Sequence, residues 1–166
     1  MIRVAQATEN DLPQVLEIMR EAISPVWTSK ALLSEIHKGD SHFIVAVDEA
    51  IVDACAVVGE ADEPTPCVTA VVGFAVIRQV GTDGELLQIA VDKSARGRGV
   101  GDLLMGASLD YAKDNALDSV FLEVRGSNTA AVGLYEKHGF KPVRTRKDYY
   151  DSPVEDALVM TRGIVR

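Results

Sequence analysis

A strand that leads through a glycine-rich loop into a helix is the feature that most restricts the fold of this chain. Leu87-Gln88-Ile89-Ala90-Val91-Asp92 leads to Arg96-Gly97-Arg98-Gly99-Val100-Gly101, and apolar periodicity predicts a helix over residues 99–115. Glycines let backbone N–H groups approach a ligand closely, and the first turn of a helix presents unpaired donors at the positive end of its dipole. The junction therefore suits a phosphate or pyrophosphate, and Arg96 and Arg98 add positive charge.

Two common phosphate-binding motifs are excluded here. No Gly-Lys-Ser/Thr follows the loop, so it is not a Walker loop. No acidic residue ends a following strand at the spacing of a dinucleotide fold. A glycine-rich turn that only starts a helix remains the alternative interpretation of the glycines alone.

The order of the predicted elements indicates an α/β chain with a mixed sheet and helices on both faces. Strands are predicted over residues 2–7, 42–48, 50–58, 70–79, 85–91, 119–124, 141–146 and 156–162. Helices are predicted after a cap at Thr8 or Asn10, after a cap at Thr28 or Ser29, over residues 99–115 and over residues 128–138. Residues 59–69 are predicted to form a polar surface excursion between strands, within a single domain over residues 1–166.

Charge and cysteine usage exclude several classes of partner. Asp and Glu number 25 against 17 Lys and Arg, which argues against nucleic acid, because that affinity depends on many cations. No segment is long and apolar enough to predict a membrane span, so a cytoplasmic location is expected. Cys55 and Cys67 lack metal-ligand spacing and are expected to be buried thiols, and no metal site is predicted.

The loop and the residues after it resemble a known family. Arg96, Gly99 and Gly101 match the pattern Arg/Gln-x-x-Gly-x-Gly/Ala of the GCN5-related N-acetyltransferases (GNAT), and the chain is most similar to the bacterial ribosomal-protein-alanine subgroup. Further similarity lies in Leu122-Glu123-Val124-Arg125, in Leu134-Tyr135-Glu136-Lys137-His138-Gly139-Phe140, and in Tyr149-Tyr150. The resemblance covers most of the chain after residue 70 and fails over residues 59–69.

The resemblance implies a central, mostly antiparallel sheet of about seven strands with four helices on both faces. It also implies acetyl-CoA as the cosubstrate. The implied cofactor-binding residues are the main chain of Ile89, Ala90 and Val91, the loop and helix start at Arg96, Gly97, Arg98, Gly99, Val100, Gly101 and Asp102, and Asn128, which local sequence equally predicts as a helix N-cap.

Glu123 is the candidate general base. It stands in an otherwise apolar run over residues 120–124, where burial would penalise its charge and strengthen it as a base. The competing interpretation is a structural carboxylate paired with Arg125, Arg144 or Arg146. The resemblance places the family's base at Glu123.

Tyrosines supply the other candidates. Tyr135 lies on the predicted fourth helix, where an aromatic would ordinarily pack against the sheet; the resemblance implies instead that it protonates the leaving thiolate, for which a neutral phenol is suited. Tyr149 and Tyr150 are predicted to follow the strand over residues 141–146 in a polar loop. Resemblance to the subgroup assigns them to the peptide cleft, with ordinary loop packing as the alternative.

The predicted reaction is direct acetyl transfer to the N-terminal α-amino group of a protein, in particular a ribosomal protein alanine. No Gly-x-Ser-x-Gly or recognisable Cys–His pattern supports a covalent acyl-enzyme. Two alternatives remain open: the same chemistry on a small amine or a lysine side chain, and an acyl-CoA-binding sensor without turnover. The expected partner is a protein or peptide N-terminus, with a basic ribosomal protein favoured by the acidic charge. The sequence leaves monomer or homodimer open.

Overall fold

The computed structural model describes residues 1–23, 25–50 and 70–165. The strand predicted over residues 50–58 lies outside the described residues apart from its first, and so do Cys55, Cys67 and the predicted excursion over residues 59–69.

Seven strands of the described residues form one sheet in the order β1-β2-β3-β4-β5-β7-β6. They are β1 (Ile2–Gln6), β2 (Ser41–Asp48), β3 (Val71–Val80), β4 (Asp83–Val91), β5 (Ser119–Arg125), β6 (Lys141–Asp151) and β7 (Val154–Gly163). All neighbouring strands are antiparallel except β4 and β5, which are parallel. The mixed, mostly antiparallel sheet predicted from the sequence is confirmed.

Four α-helices lie within the described residues, on both faces of the sheet. They are α1 (Leu12–Ala22), α2 (Ser29–His37), α3 (Val100–Asp114) and α4 (Thr129–Lys137). The Thr28 hydroxyl accepts from the Ala31 N–H at 3.1 Å, which confirms one of the two caps predicted for α2. Thr8 instead forms a capping box with Asp11 at the 3-10 helix Glu9–Asp11, which runs directly into α1, and Asp11 is the N-cap of α1 itself. Within the described ranges, no helix combines the length and the apolar character that crossing a membrane requires.

Alternation along the central strands divides the core between the two faces. Phe43 and Val45 of β2 belong to a cluster with residues of α1 and α2, whereas Ile44 and Ala46 pack with Val100 and other residues of α3. Leu122 and Val124 of β5 join a third cluster with residues of α3 and α4. Consequently Glu123, which alternates with them, projects from the face that carries α1 and α2.

The parallel pairing of β4 with β5 stops partway along both strands. It runs from Asp83 opposite Ser119 to Leu86 opposite Leu122. On its other side β4 carries a bulge at the next residue, because Ile77 of β3 pairs with Leu86 and Val76 pairs with Gln88. A bulge bends a strand and increases its twist. The two strands therefore diverge into a wedge, called the split below, between residues 87–91 and residues 123–125.

Candidate functional site

The glycine loop forms a shallow cavity of about 270 Å³ at the start of α3. Gly97 and Gly99 have φ of +75° and +78°, a conformation in which side chains are strained, and a Cβ on either would meet no atom within 4 Å. The loop thus presents main chain to open space. Its lining is Val91, Ala95, Arg96, Gly97, Gly99, Val100, Gly101, Asp102 and Leu134.

The first turn of α3 is fixed from within the core. Val100 is buried against the sheet, and Gly99 occupies the N-cap without a side-chain cap bond. The first N–H groups of a helix have no partner inside it, so this end can accept an anion. The carboxylate of Asp102 accepts from Lys137 Nζ at 2.8 Å and lies 2.9 Å from His138 Nε2; hydrogen bonding to Lys137 chiefly lowers the pKa of Asp102. Its negative charge is therefore offset beside the cavity.

The two loop arginines have different surroundings. Arg96 lines the cavity, and its Nε donates to the Val91 carbonyl at 3.2 Å. Arg98 instead turns to the end of β2, where its Nη2 donates to the buried Asp48 Oδ2 at 2.7 Å. The sequence predicted both arginines at the phosphate, but the structure brings only Arg96 to the cavity.

A second cavity, of about 130 Å³, occupies the split. Ile89 lines it from β4 and Glu123 from β5, while Asn128 and Tyr135 line it from the side of α4. Since the last pair with β5 is Leu86 with Leu122, the main chain after Leu86 turns an unpaired edge to this cavity. Ala90 and Val91, also predicted to bind the cofactor, continue this edge toward the glycine loop.

Glu123 lies at the point where the split meets the opposite face. Burial along β5 alternates, so Leu122 and Val124 are buried while the Glu123 side chain between them keeps 20% exposure. Its Oε1 lies 2.8 Å from Arg146 Nη1, one of the three partners considered in the structural interpretation. Hydrogen bonding to Glu123 is also the main cause that raises the pKa of Tyr149.

Tyr135 is buried beneath the split. Its side chain packs against Phe140, with ring centroids 6.0 Å apart, so the expected packing role is present. Burial raises the pKa of Tyr135 well above its usual value, and the phenol therefore remains protonated at neutral pH. Asn128 caps α4, with Oδ1 accepting from the Ala131 N–H at 3.1 Å, and lines the same cavity.

Tyr149 and Tyr150 belong to a strand rather than to the loop that the sequence predicts. β6 continues to Asp151 because it pairs again with β7 after an irregularity between Arg146 and Tyr150. The two rings meet edge to face with centroids 5.1 Å apart. Arginine carbons lie over them, Arg146 5.4 Å from the Tyr149 centroid and Arg125 4.0 Å from the Tyr150 centroid. These contacts hold both rings at the mouth of the split.

A third cavity, of about 300 Å³, contains residues that sequence reasoning missed. Trp27, in the connection between α1 and α2, faces Tyr149 and Tyr150 across it, and Glu85 and Gln88 form part of its β4 wall. Burial raises the pKa of Glu85, and the neighbouring Glu123 charge raises it further. The parallel register sets Glu85 opposite Phe121 and so brings the carboxylates of Glu85 and Glu123 to the same face of the sheet. No local sequence pattern predicts that register.

Comparison with protein families and curated proteins identifies relatives. The model of the acetyltransferase (GNAT) family matches residues 12–140. A putative ribosomal protein bS18-alanine N-acetyltransferase of Bacillus subtilis is 28% identical over 151 residues, covering 90% of this chain and 87% of the relative. The bS18-alanine N-acetyltransferase of Haemophilus influenzae is 40% identical over 93 residues, but the match spans 54% of this chain and 63% of that relative, less than two thirds of its length.

A solved structure shares the whole architecture. The crystal structure of the ribosomal-protein-S18-alanine N-acetyltransferase from Escherichia coli superposes with a TM-score of 0.81 at 25% identity, covering 100% of this chain and 96% of the other. The seven-stranded mixed sheet with helices on both faces is therefore the fold of that enzyme. Among the residues described here, no group of three or more His, Cys, Asp or Glu side chains is placed to hold a metal ion.

Proposed function

Because this chain belongs to the acetyltransferase (GNAT) family of acyltransferases, we propose that it transfers an acetyl group from acetyl-CoA to the N-terminal α-amino group of a protein. The names of its relatives point to an alanine at the start of a ribosomal protein as the acceptor. Such an acceptor would place the reaction in the cytoplasm.

The observation that carries this proposal is the course of β4 past three cavities. Glu85 lines the third cavity, called the cleft below, together with Tyr149 and Tyr150. Ile89 lines the cavity in the split, and Val91 lines the cavity at the glycine loop. The split begins where the pairing of β4 with β5 ends, and along β4 it lies between Glu85 and Val91. A donor held along the loop and the split can thus meet an acceptor that enters from the face of α1 and α2.

The loop and the split suit the two polar parts of acetyl-CoA. When bound, this cosubstrate supplies an activated acetyl thioester. The open space above Gly97 and Gly99 and the N–H groups that begin α3 would hold its pyrophosphate. The unpaired edge over residues 87–91 would pair with the pantetheine amides as a neighbouring strand would, with Asn128 at the opposite wall.

Glu123 would accept the proton of the acceptor ammonium, directly or through water. Its ion pair with Arg146 orients the carboxylate. An α-amino group, with a pKa near 8, needs much less help than a lysine side chain with a pKa near 10.4. This difference favours an N-terminal acceptor over a lysine.

Tyr135 would give a proton to the sulfur as the thiolate leaves. Its raised pKa keeps the phenol protonated, and it lines the same small cavity as Glu123. The two groups thus approach the split from opposite faces of the sheet, as a base for the incoming amine and an acid for the outgoing sulfur must.

Tyr149 and Tyr150 would contact the acceptor peptide. Tyr149 is 46% exposed at the cleft, and both rings face Trp27 across it. Aromatic walls of this kind bury peptide side chains without fixing one sequence.

Thiol release from acetyl-CoA tests the proposal. Peptides that begin with Ala or Ser are compared with the same peptides blocked at the α-amino group, with a blocked peptide that contains a lysine and with a polyamine. We expect turnover only with free α-amino groups and intersecting lines in double-reciprocal plots. Parallel lines or an isolable acetylated enzyme would refute direct transfer, and turnover confined to lysine or polyamine would refute the acceptor. CoA binding without turnover of any acceptor would favour a sensor.

A further inference from the structure

We propose that Arg98 is a positioning residue: its ion pair with Asp48 holds the glycine loop in its ligand-ready conformation, and its side chain does not contact the phosphates. This inference rests on the proposed function, because it concerns how the acetyl-CoA site is built. It assigns a role to Asp48, which lies 50 positions away along the chain, outside the loop and the motifs around it.

The geometry of the pair supports a tether. Arg98 Nη2 donates to Asp48 Oδ2 at 2.7 Å, and the Asp48 side chain is only 3% exposed. The other oxygen, Oδ1, accepts from the Ala50 N–H at 3.2 Å and lies 3.8 Å from the Met1 ammonium. Hydrogen bonding to Arg98 is the largest cause that lowers the pKa of Asp48. A buried carboxylate with these donors is a fixed point at the end of β2.

The position of Arg98 within the loop explains why a tether matters there. It is flanked by Gly97 and Gly99, both with positive φ, which are the two most permissive residues of the segment. The neighbouring anchors are the buried Ala95 before these glycines and the buried Val100 after them. Two side chains between those anchors tie the loop to the sheet: Arg96 bonds the Val91 carbonyl before the glycines, and Arg98 reaches Asp48 from the position between them.

The same geometry separates Arg98 from the bound anion. The residues that line the loop cavity include Arg96 but not Arg98, whose guanidinium lies against Asp48 at the end of β2. Moving it to the cavity would leave Asp48 as a buried carboxylate without its closest cation, which is costly. The sequence pattern alone, with two arginines beside the glycines, could not distinguish a ligand from a tether.

The test compares Arg98→Met, Asp48→Asn and the double variant by calorimetric titration with CoA and with pantetheine, which lacks the phosphates. A tether predicts that each single variant weakens CoA binding by about three- to tenfold, since a charge-assisted hydrogen bond with one exposed partner has modest net worth. The double variant should be no weaker than the worse single variant. Pantetheine affinity should be unchanged in all three, whereas general damage to the fold would weaken both ligands.

Arg3→Met is the matched control. It removes the same charge from an exposed pair, at 3.3 Å, with Glu49, the residue that follows Asp48, and should leave CoA binding unchanged. Arg98→Lys should restore part of the affinity, because it keeps a cation for Asp48.

Two results would overturn the tether. If Arg98→Met weakens CoA binding while Asp48→Asn leaves it unchanged or strengthens it, Arg98 is a phosphate ligand. If neither variant changes CoA affinity, the pair has no role in the site. Failure of the wild-type protein to bind CoA would instead refute the proposed function, so the two failures are distinct.

Discussion

The two sides of the site that we propose for the donor and for the acceptor are built from different kinds of structure. The donor side consists mainly of main chain, namely the loop over residues 96–101 and the unpaired edge of β4, from one stretch of sequence. The acceptor side consists of side chains from the α1–α2 connection, β4, β5 and β6. A site built from main chain suits a donor that stays the same when side chains change, whereas a site built from side chains can be adapted to different acceptors.

This difference determines which substitutions should impair binding of the donor and which should impair binding of the acceptor. A main-chain site depends on backbone conformation, so most side-chain substitutions within it matter little and glycine substitutions matter greatly. A side-chain site responds to each substitution individually. The predictions below use this contrast, because each should affect one side and spare the other.

Glu123→Gln should have the largest effect. Loss of the base should lower kcat by about 10³-fold at neutral pH, within the range for general bases, while CoA affinity stays unchanged. Steady-state thiol release and CoA titration measure the two quantities separately. A rate within twofold of wild type would move the base to another group.

Tyr135→Phe should lower kcat by about 10²-fold, which is less than the loss for Glu123. A thiolate can leave without being protonated, whereas an ammonium group cannot attack until it has lost its proton. Phe preserves the packing against Phe140, so the melting temperature serves as the control for structure. Equal rates for the variant and wild type would leave Tyr135 with its packing role alone.

Gly99→Val should act on the donor side alone. A Cβ at this position meets no atom, so the harm comes from φ of +78°, which costs an L-residue about 1–2 kcal/mol. CoA affinity should fall by about tenfold, as measured by titration. Gly106→Val, within α3 and also without atoms within 4 Å of its Cβ, is the matched control. A similar loss in both variants would show that damage to α3, not to the loop, is responsible.

Glu85→Gln should have the smallest effect, on stability. Because burial raises the pKa of Glu85 above 4.5, the folded state binds this proton more tightly than the unfolded state, and stability falls as pH rises through the folded-state pKa. Gln carries no titrating proton, so the variant should not lose stability in this way. Its free energy of unfolding should exceed that of the wild type at neutral pH by under about 1 kcal/mol and equal it below pH 4.5. Denaturant unfolding at both pH values checks this, with the exposed Glu17→Gln as control. A less stable variant at neutral pH would mean that the Glu85 charge is satisfied.

The sequence predicts the strand and the helix of the proposed donor side well because their signals are local. The strand, the glycines and the helix start follow one another between residues 87 and 114, and the confirmed elements agree with the prediction within a residue or two. Conformations that only glycine adopts readily, as at Gly97 and Gly99, leave a direct mark in the sequence. The separate fates of Arg96 and Arg98 were not predictable, because Asp48 is distant in sequence.

The acceptor side was only partly predictable because its neighbours are set by strand register. Trp27 and Glu85 carry no local signal, and they reach the cleft through the helix connection and the parallel pairing of β4. Tyr149 and Tyr150 were predicted in a loop because polar residues precede them, whereas β6 is an edge strand whose burial pattern is almost wholly exposed. An edge strand need not look hydrophobic.

Binding of the proposed cosubstrate along the split between β4 and β5 would tie the protein's lifetime to that ligand. Without a neighbouring strand, the edge over residues 87–91 relies on water for its hydrogen bonds, and a ligand seated there completes the sheet. A ligand present at 100 times its Kd adds about 2.7 kcal/mol to stability. Degradation in cells follows the unfolded population, so a cell short of acetyl-CoA and CoA would hold less of this protein.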